Sequence, residues 1–159
     1  MNQPNSNHFP STPESFMLYN LFMTDRSYKT LIKLDLSNNK LQSLISIVQA
    51  LLKIPWLKDL NLSKNLIDDA SIDYLLQWIV DEQPPQQQLQ NIKLKKLKLY
   101  NNWITNFGRV EKFLEDSHLS SIKELDLRLN FFENKDALQL YANGWAKKTF
   151  PDRDIEILI

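Results

Sequence analysis

Two histidines, His8 and His118, and two acidic pairs, Asp68-Asp69 and Asp152/Asp154, are the side chains here whose types suggest proton transfer or metal binding. Neither histidine has a partner at metal-ligand spacing. The aspartate pairs have no companion nucleophile or base, so helix capping and solvation account for them better than acid–base catalysis does. The chain has no cysteine, which excludes disulfides, thiolate zinc sites and cysteine nucleophiles together. It has only two glycines, and loops that cradle phosphates need glycine for close backbone approach. The residues therefore imply no catalytic site, no metal, no cofactor and no small-molecule substrate. The expectation is a non-enzyme.

At 159 residues, 43% of them hydrophobic and 24% charged, the chain suits one ordinary globular domain. Lysine plus arginine and aspartate plus glutamate both number 19. A neutral chain exerts no general pull on nucleic acid or anionic membrane, so any such affinity has to come from a local patch. No apolar run approaches the length of a membrane span, and MNQPNSNHFPSTPES has neither the cationic start nor the apolar stretch of a secretory signal. These features predict an intracellular protein, cytoplasmic or nuclear, that does not engage membranes.

What remains is a repeat. LIKLDLSNN from Leu31, LKDLNLSKN from Leu57, LKKLKLYNN from Leu94 and IKELDLRLN from Ile122 all fit L-x-x-L-x-L-x-x-N, a period characteristic of stacked supersecondary units. Strand side chains alternate, so Leu34/Leu36, Leu60/Leu62, Leu97/Leu99 and Leu125/Leu127 point into a core. Asn39, Asn65, Asn102 and Asn130 should bond backbone groups where each strand turns away. A degenerate fifth strand places Ile155 and Ile157 at the two apolar positions. The chain then runs to Ile159 in strand-like sequence, and an uncovered edge there would invite pairing with another chain.

Motif starts are 26, 37 and 28 residues apart, which leaves room for a helix in each connection. Helical periodicity appears at Leu44/Val48/Leu51, at Ile72/Leu75/Leu76/Ile79, at Val110/Phe113/Leu114 and at Leu138/Tyr141/Trp145. Asp68 and Asp69 suit the start of the second of these helices. The long interval contains DEQPPQQQLQN, read as a loop insertion over 82–91. The fold expected is α/β: a solenoid with about five short parallel strands on its concave face, helices on its convex face and a helical N-terminal cap. Residues 1–12 form a disordered tail and 13–159 one domain. Within that domain, 13–29 is the cap helix, 30–130 the four repeats, and 131–159 the last helix and strand, with Trp145, Phe150 and Pro151 closing the core.

The motif and its register resemble the leucine-rich-repeat superfamily over roughly residues 30–159. SNNKLQSLISIVQALLKIPWLKDLNLSKNLI, from Ser37 to Ile67, is similar to the first repeats of the leucine-rich domain of nuclear RNA export factors, and IKLKKLKLYNNWI, from Ile92, to their third. That resemblance implies RNA binding as one possible role.

Two surfaces follow from the register. The concave face carries Lys33, Asp35, Asp59, Asn61, Lys96, Lys98, Glu124, Asp126 and Arg128, extended by Asp154 and Glu156. Lys96 is expected beside Glu124 and Lys98 beside Asp126. Lys93, Lys95, Lys96 and Lys98 cluster near Tyr100, but acidic columns flank them, which makes RNA the minority expectation. The rim follows the asparagines, at Lys40, Leu66, Trp103 and Phe131. Leu66, Trp103 and Phe131, with Tyr100 and Leu129 beside them, should form one apolar ridge, and such surface commonly marks a partner site. Tyr74 and Trp78 make a weaker candidate on the convex side. The leading expectation is a protein-binding adaptor or structural subunit. The alternatives are an RNA-binding domain of export-factor type and a component of a ciliary or cytoskeletal complex.

Overall fold

The computed structural model describes residues 30–44, 54, 56–73, 94–115 and 121–159. The tail 1–12, the cap helix 13–29, the insertion 82–91, both histidines, Tyr74, Trp78 and the apolar positions Val48, Leu51, Leu75, Leu76 and Ile79 lie outside them. Five short strands, β1 (Lys33–Asp35), β2 (Asp59–Asn61), β3 (Lys96–Lys98), β4 (Glu124–Asp126) and β5 (Glu156–Leu158), form one parallel sheet. Their spatial order is their chain order. Among the described residues, helix covers α1 (Phe107–Glu115) and α2 (Lys135–Thr149), and residues 69–73 are also helical.

The central leucines pair across the sheet, Leu34 with Leu60, Leu60 with Leu97, and Leu97 with Leu125. Leu60, Leu62, Leu97, Leu99, Leu125 and Leu127 are buried to 2% exposure or less, Leu36 is buried, and Leu34 packs against the same core from a half-buried position. Behind the sheet α1 contributes Phe107, Val110, Phe113 and Leu114. These positions share one helix face. Asn106 caps α1 by accepting the Gly108 amide at 2.9 Å.

The asparagines do what their spacing predicts. Asn65 Oδ1 accepts the Asn39 and Leu41 amides, while its Nδ2 donates to the Leu36 and Leu62 carbonyls. Asn102 links the Ile67 amide to the Leu62 and Leu99 carbonyls, and Asn130 links the Ile104 amide to those of Leu99 and Leu127. Each side chain thus joins two successive turns of chain. The residue before each asparagine, Asn38, Lys64, Asn101 or Leu129, takes a left-handed conformation with φ between 53° and 60°.

The last strand departs from expectation by two residues. Ile157, not Ile155, pairs with Leu125, which brings Ile159 to the position of Leu127. A shift of two preserves which side chains face the core, so hydrophobic alternation cannot detect it. The turn after α2 sets the register instead: Phe150 donates to the Ala146 carbonyl and accepts from the Arg153 amide. Asp154 therefore falls off the concave face, and Glu156 and Leu158 extend it.

Two further details of the C-terminal region differ. The buried positions of α2 are Ala142 and Ala146, with Leu138 and Trp145 partly buried, whereas Tyr141 is exposed. Small alanines let the helix sit close to the sheet, and Trp145 packs edge-on against Phe107 and Phe150. Nor is the outer edge of β5 bare. Gln139 of α2 donates to the Ile157 carbonyl at 2.7 Å and accepts the Ile159 amide at 2.8 Å. One amide side chain makes the two bonds that a sixth strand would make there.

Candidate functional site

The strand register lays the concave side chains out in columns. Lys33, Asp59, Lys96, Glu124 and Glu156 form one, and Asp35, Asn61, Lys98, Asp126 and Leu158 the next. Backbone bonds from Asn38 to Ser63, Lys64 to Tyr100 and Asn101 to Arg128 continue the alignment, so Ser37, Ser63, Tyr100 and Arg128 form a third.

Charges on this face answer one another. Lys96 is ion-paired with Glu124, as the register predicts, and Lys33 reaches Asp59 at 4.0 Å. Asp126 is held by its own strand neighbour rather than by Lys98: Arg128 grips it through two nitrogens at 2.9 and 2.7 Å. A planar guanidinium matches both carboxylate oxygens, which a single ammonium cannot do. The Arg128 guanidinium also lies 5.9 Å from the Tyr100 ring centre, covering the one aromatic of the third column.

Protonation follows these contacts. Burial raises the pKa of the Asp126 carboxyl, but the Arg128 hydrogen bonds and charge outweigh it and hold it below the usual carboxylate value. The Ser37 hydroxyl and amide lower that of Asp35. The hydrogen bond and charge of Glu124 raise that of Lys96. The face therefore alternates paired charges of opposite sign, with no unbroken column of one sign.

The rim is built differently. After each asparagine the chain pairs once more with the preceding turn: Leu66 N–H donates to Leu41, Trp103 to Ile67 and Phe131 to Ile104. These bonds fix Leu66, Trp103 and Phe131 at equivalent places on successive turns. Alternation then sends the following residues inward, and Leu41, Ile67, Ile104 and Phe132 are all buried. Trp103 is 57% exposed, Phe131 64% and Leu129 53%, while Leu66 and Tyr100 are half-buried. The exposed ridge is thus Trp103, Leu129 and Phe131, with Leu66 and Tyr100 at its foot.

Two further features are defined by position and local contacts rather than by side-chain type. Asp68 caps the 69–73 turn through Ser71, at 2.9 Å to its amide and 2.8 Å to its hydroxyl. Asp69 instead reaches the next connection, accepting the Thr105 amide, the Thr105 hydroxyl and the Asn106 amide at 3.0, 2.5 and 3.1 Å. Burial opposes its charge, yet these bonds lower its pKa. The pair is structural. The second feature is a column of lysines at the entry to the strands, Lys58, Lys95 and Lys123, all exposed. The readable signal was motif position: lysine follows the first apolar residue in three of the four motifs. Of the sequence cluster Lys93, Lys95, Lys96 and Lys98, Lys93 lies outside the described residues, Lys95 belongs to this column, and Lys96 and Lys98 belong to the concave face.

Among the described residues, no three or more histidine, cysteine, aspartate or glutamate side chains group as a metal site, and no helix is long and apolar enough to cross a membrane. Asp152 and Asp154 are exposed at the turn before β5. No family model and no curated protein matches the chain.

Proposed function

We propose that this chain is a leucine-rich-repeat solenoid acting as a non-enzymatic adaptor or structural subunit, and that it holds a protein partner on the ridge of Trp103, Leu129 and Phe131. The supporting observation is the exposure of Trp103 and Phe131 on successive turns whose backbones are hydrogen-bonded in place. Large aromatics held rigidly in water lose little conformational entropy on binding, and they dominate hot spots. The mixed concave face beside them supplies a polar border, as rims of interfaces do. An intracellular setting belongs to the same reading.

The test compares Trp103→Ala with Lys40→Ala, two residues at the same motif position. Partner retention is followed by cross-linking pull-down of the full chain, and stability by thermal melting. Trp103→Ala should lose its partners, a change of about 2–4 kcal/mol in binding, with a near-normal melting temperature. Lys40→Ala should change neither. Unfolding of Trp103→Ala, or undiminished retention, overturns the ridge. RNA binding that is strong at low salt and falls steeply as salt rises would instead support the export-factor alternative.

A further inference from the structure

Where the chain enters each strand, successive turns are bonded through the same motif position. Lys58 N–H donates to Ile32, Lys95 N–H to Lys58 and Lys123 N–H to Lys95, each at 2.8 Å. Three lysines therefore rise from adjacent strands, which in a parallel sheet lie about 4.8 Å apart. All three are exposed, and among the described residues none makes an ion pair. Like charges stacked directly across a sheet are unfavourable.

The column ends in a hollow that Lys95 and Lys123 share with Lys147 of α2 and Arg153 of the turn before β5. The Arg153 guanidinium lies 4.6 Å from the Phe150 ring centre, and its buried Nη1 has no acceptor. Of the carboxylates lining the hollow, Glu124 is engaged by Lys96. Asp154 and Glu156 are exposed there.

We propose that Lys58, Lys95, Lys123, Lys147 and Arg153 form a docking site for an extended, glutamate- or aspartate-rich segment of a partner protein. The chemistry is ammonium and guanidinium groups set in a row against spaced carboxylates. A nucleic-acid backbone fits less well. It carries a negative charge at every nucleotide, and its phosphates offer no donor to Asp154 or Glu156. An acidic peptide spaces its carboxylates and supplies amide donors between them. The site lies at the opposite end of the strands from the Trp103 ridge and does not depend on that ridge being an interface.

The experiment is fluorescence anisotropy of the full chain with a fluorescein-labelled poly-glutamate peptide at low salt. The probe should bind, and binding should weaken as salt screens the charges. The triple variant Lys58→Glu/Lys95→Glu/Lys123→Glu should bind about tenfold or more weakly. The control Lys40→Glu/Lys64→Glu/Lys112→Glu makes the same change in net charge at exposed positions elsewhere and should bind nearly as the parent does. Trp103→Ala should leave this affinity unchanged, which separates failure of the site from failure of the ridge. A neutral triple variant to glutamine, with melting curves for each protein, guards against misfolding and should also lose affinity. No binding of poly-glutamate at low salt, equal loss in the control, or tighter binding of a poly-uridine oligomer overturns the proposal.

Discussion

Asn39 closes the first motif and Asn102 the third, yet the protein uses them differently. Asn39 is exposed, and its side-chain amide donates to the Ser37 carbonyl within its own turn. Asn102 is fully buried, and it joins the Ile67 amide to the Leu62 and Leu99 carbonyls across two turns. The same contrast holds five residues earlier, in the strands, where Leu34 is half-buried and Leu97 is 1% exposed. Among the described residues, the third strand is paired on both sides and the first on one side only. Nearest-neighbour packing of this kind is the general behaviour of repeating architectures.

The largest effect that can test this contrast is in the core. Leu97→Ala should cost about 2–5 kcal/mol, the range for deeply buried leucines. Leu34→Ala, deleting the same atoms at the half-buried position, should cost clearly less. Urea unfolding of both variants makes the comparison directly. Equal losses would mean that the first strand is as fully packed as the third.

The asparagines come next. Asn102→Ala strands the buried Ile67 amide, while the Leu62 and Leu99 carbonyls keep their bonds from Asn65 and Asn130; one buried unpaired group costs about 1–3 kcal/mol before water or local shifts relieve it. A net loss of about 1–3 kcal/mol is expected. Asn39→Ala should stay within about 0.5 kcal/mol, as exposed substitutions do. Hydrogen exchange sharpens the result: the Ile67 amide, bonded to Asn102 Oδ1 at 3.1 Å, should lose protection in the first variant alone. If both variants unfold at the same urea concentration, position in the stack does not decide the weight of the residue.

This contrast also marks how far the sequence could be read. The strand positions, the core leucines, the asparagine bonds and the Lys96–Glu124 pair follow from a spacing that recurs unchanged. Such features depend on the motif and on one parallel neighbour. What escaped depends on contacts outside the motif. The register of β5 is set by the turn at Phe150, and alternation cannot distinguish a shift of two. Gln139 covers the last edge through a helix side chain some twenty residues from its partners. Asp126 goes to Arg128 because two nitrogens at fixed spacing compete better than one from Lys98. On the ridge, the sequence placed Leu66, Trp103 and Phe131 in one column. How deeply Leu66 sinks into it was a matter of local packing.

The smallest expected effect concerns Leu129, and it bears on whether the ridge is maintained at a cost. Its equivalents in the other turns are Asn38, Lys64 and Asn101, and all four share the left-handed conformation. That conformation costs an ordinary side chain about 1–2 kcal/mol, and asparagine tolerates it better because its short amide bonds locally. Leucine gains little here in return, since it is 53% exposed. Leu129→Asn should therefore stabilise the isolated protein by about 1 kcal/mol, read as a higher urea midpoint with an unchanged slope. If Leu129 is part of the partner surface, the same variant should retain its partner less well. Gained stability with lost retention would identify a strained, exposed leucine kept for contact. A loss of stability would show that Leu129 packs on its neighbours and that the ridge is smaller than the three side chains assigned to it.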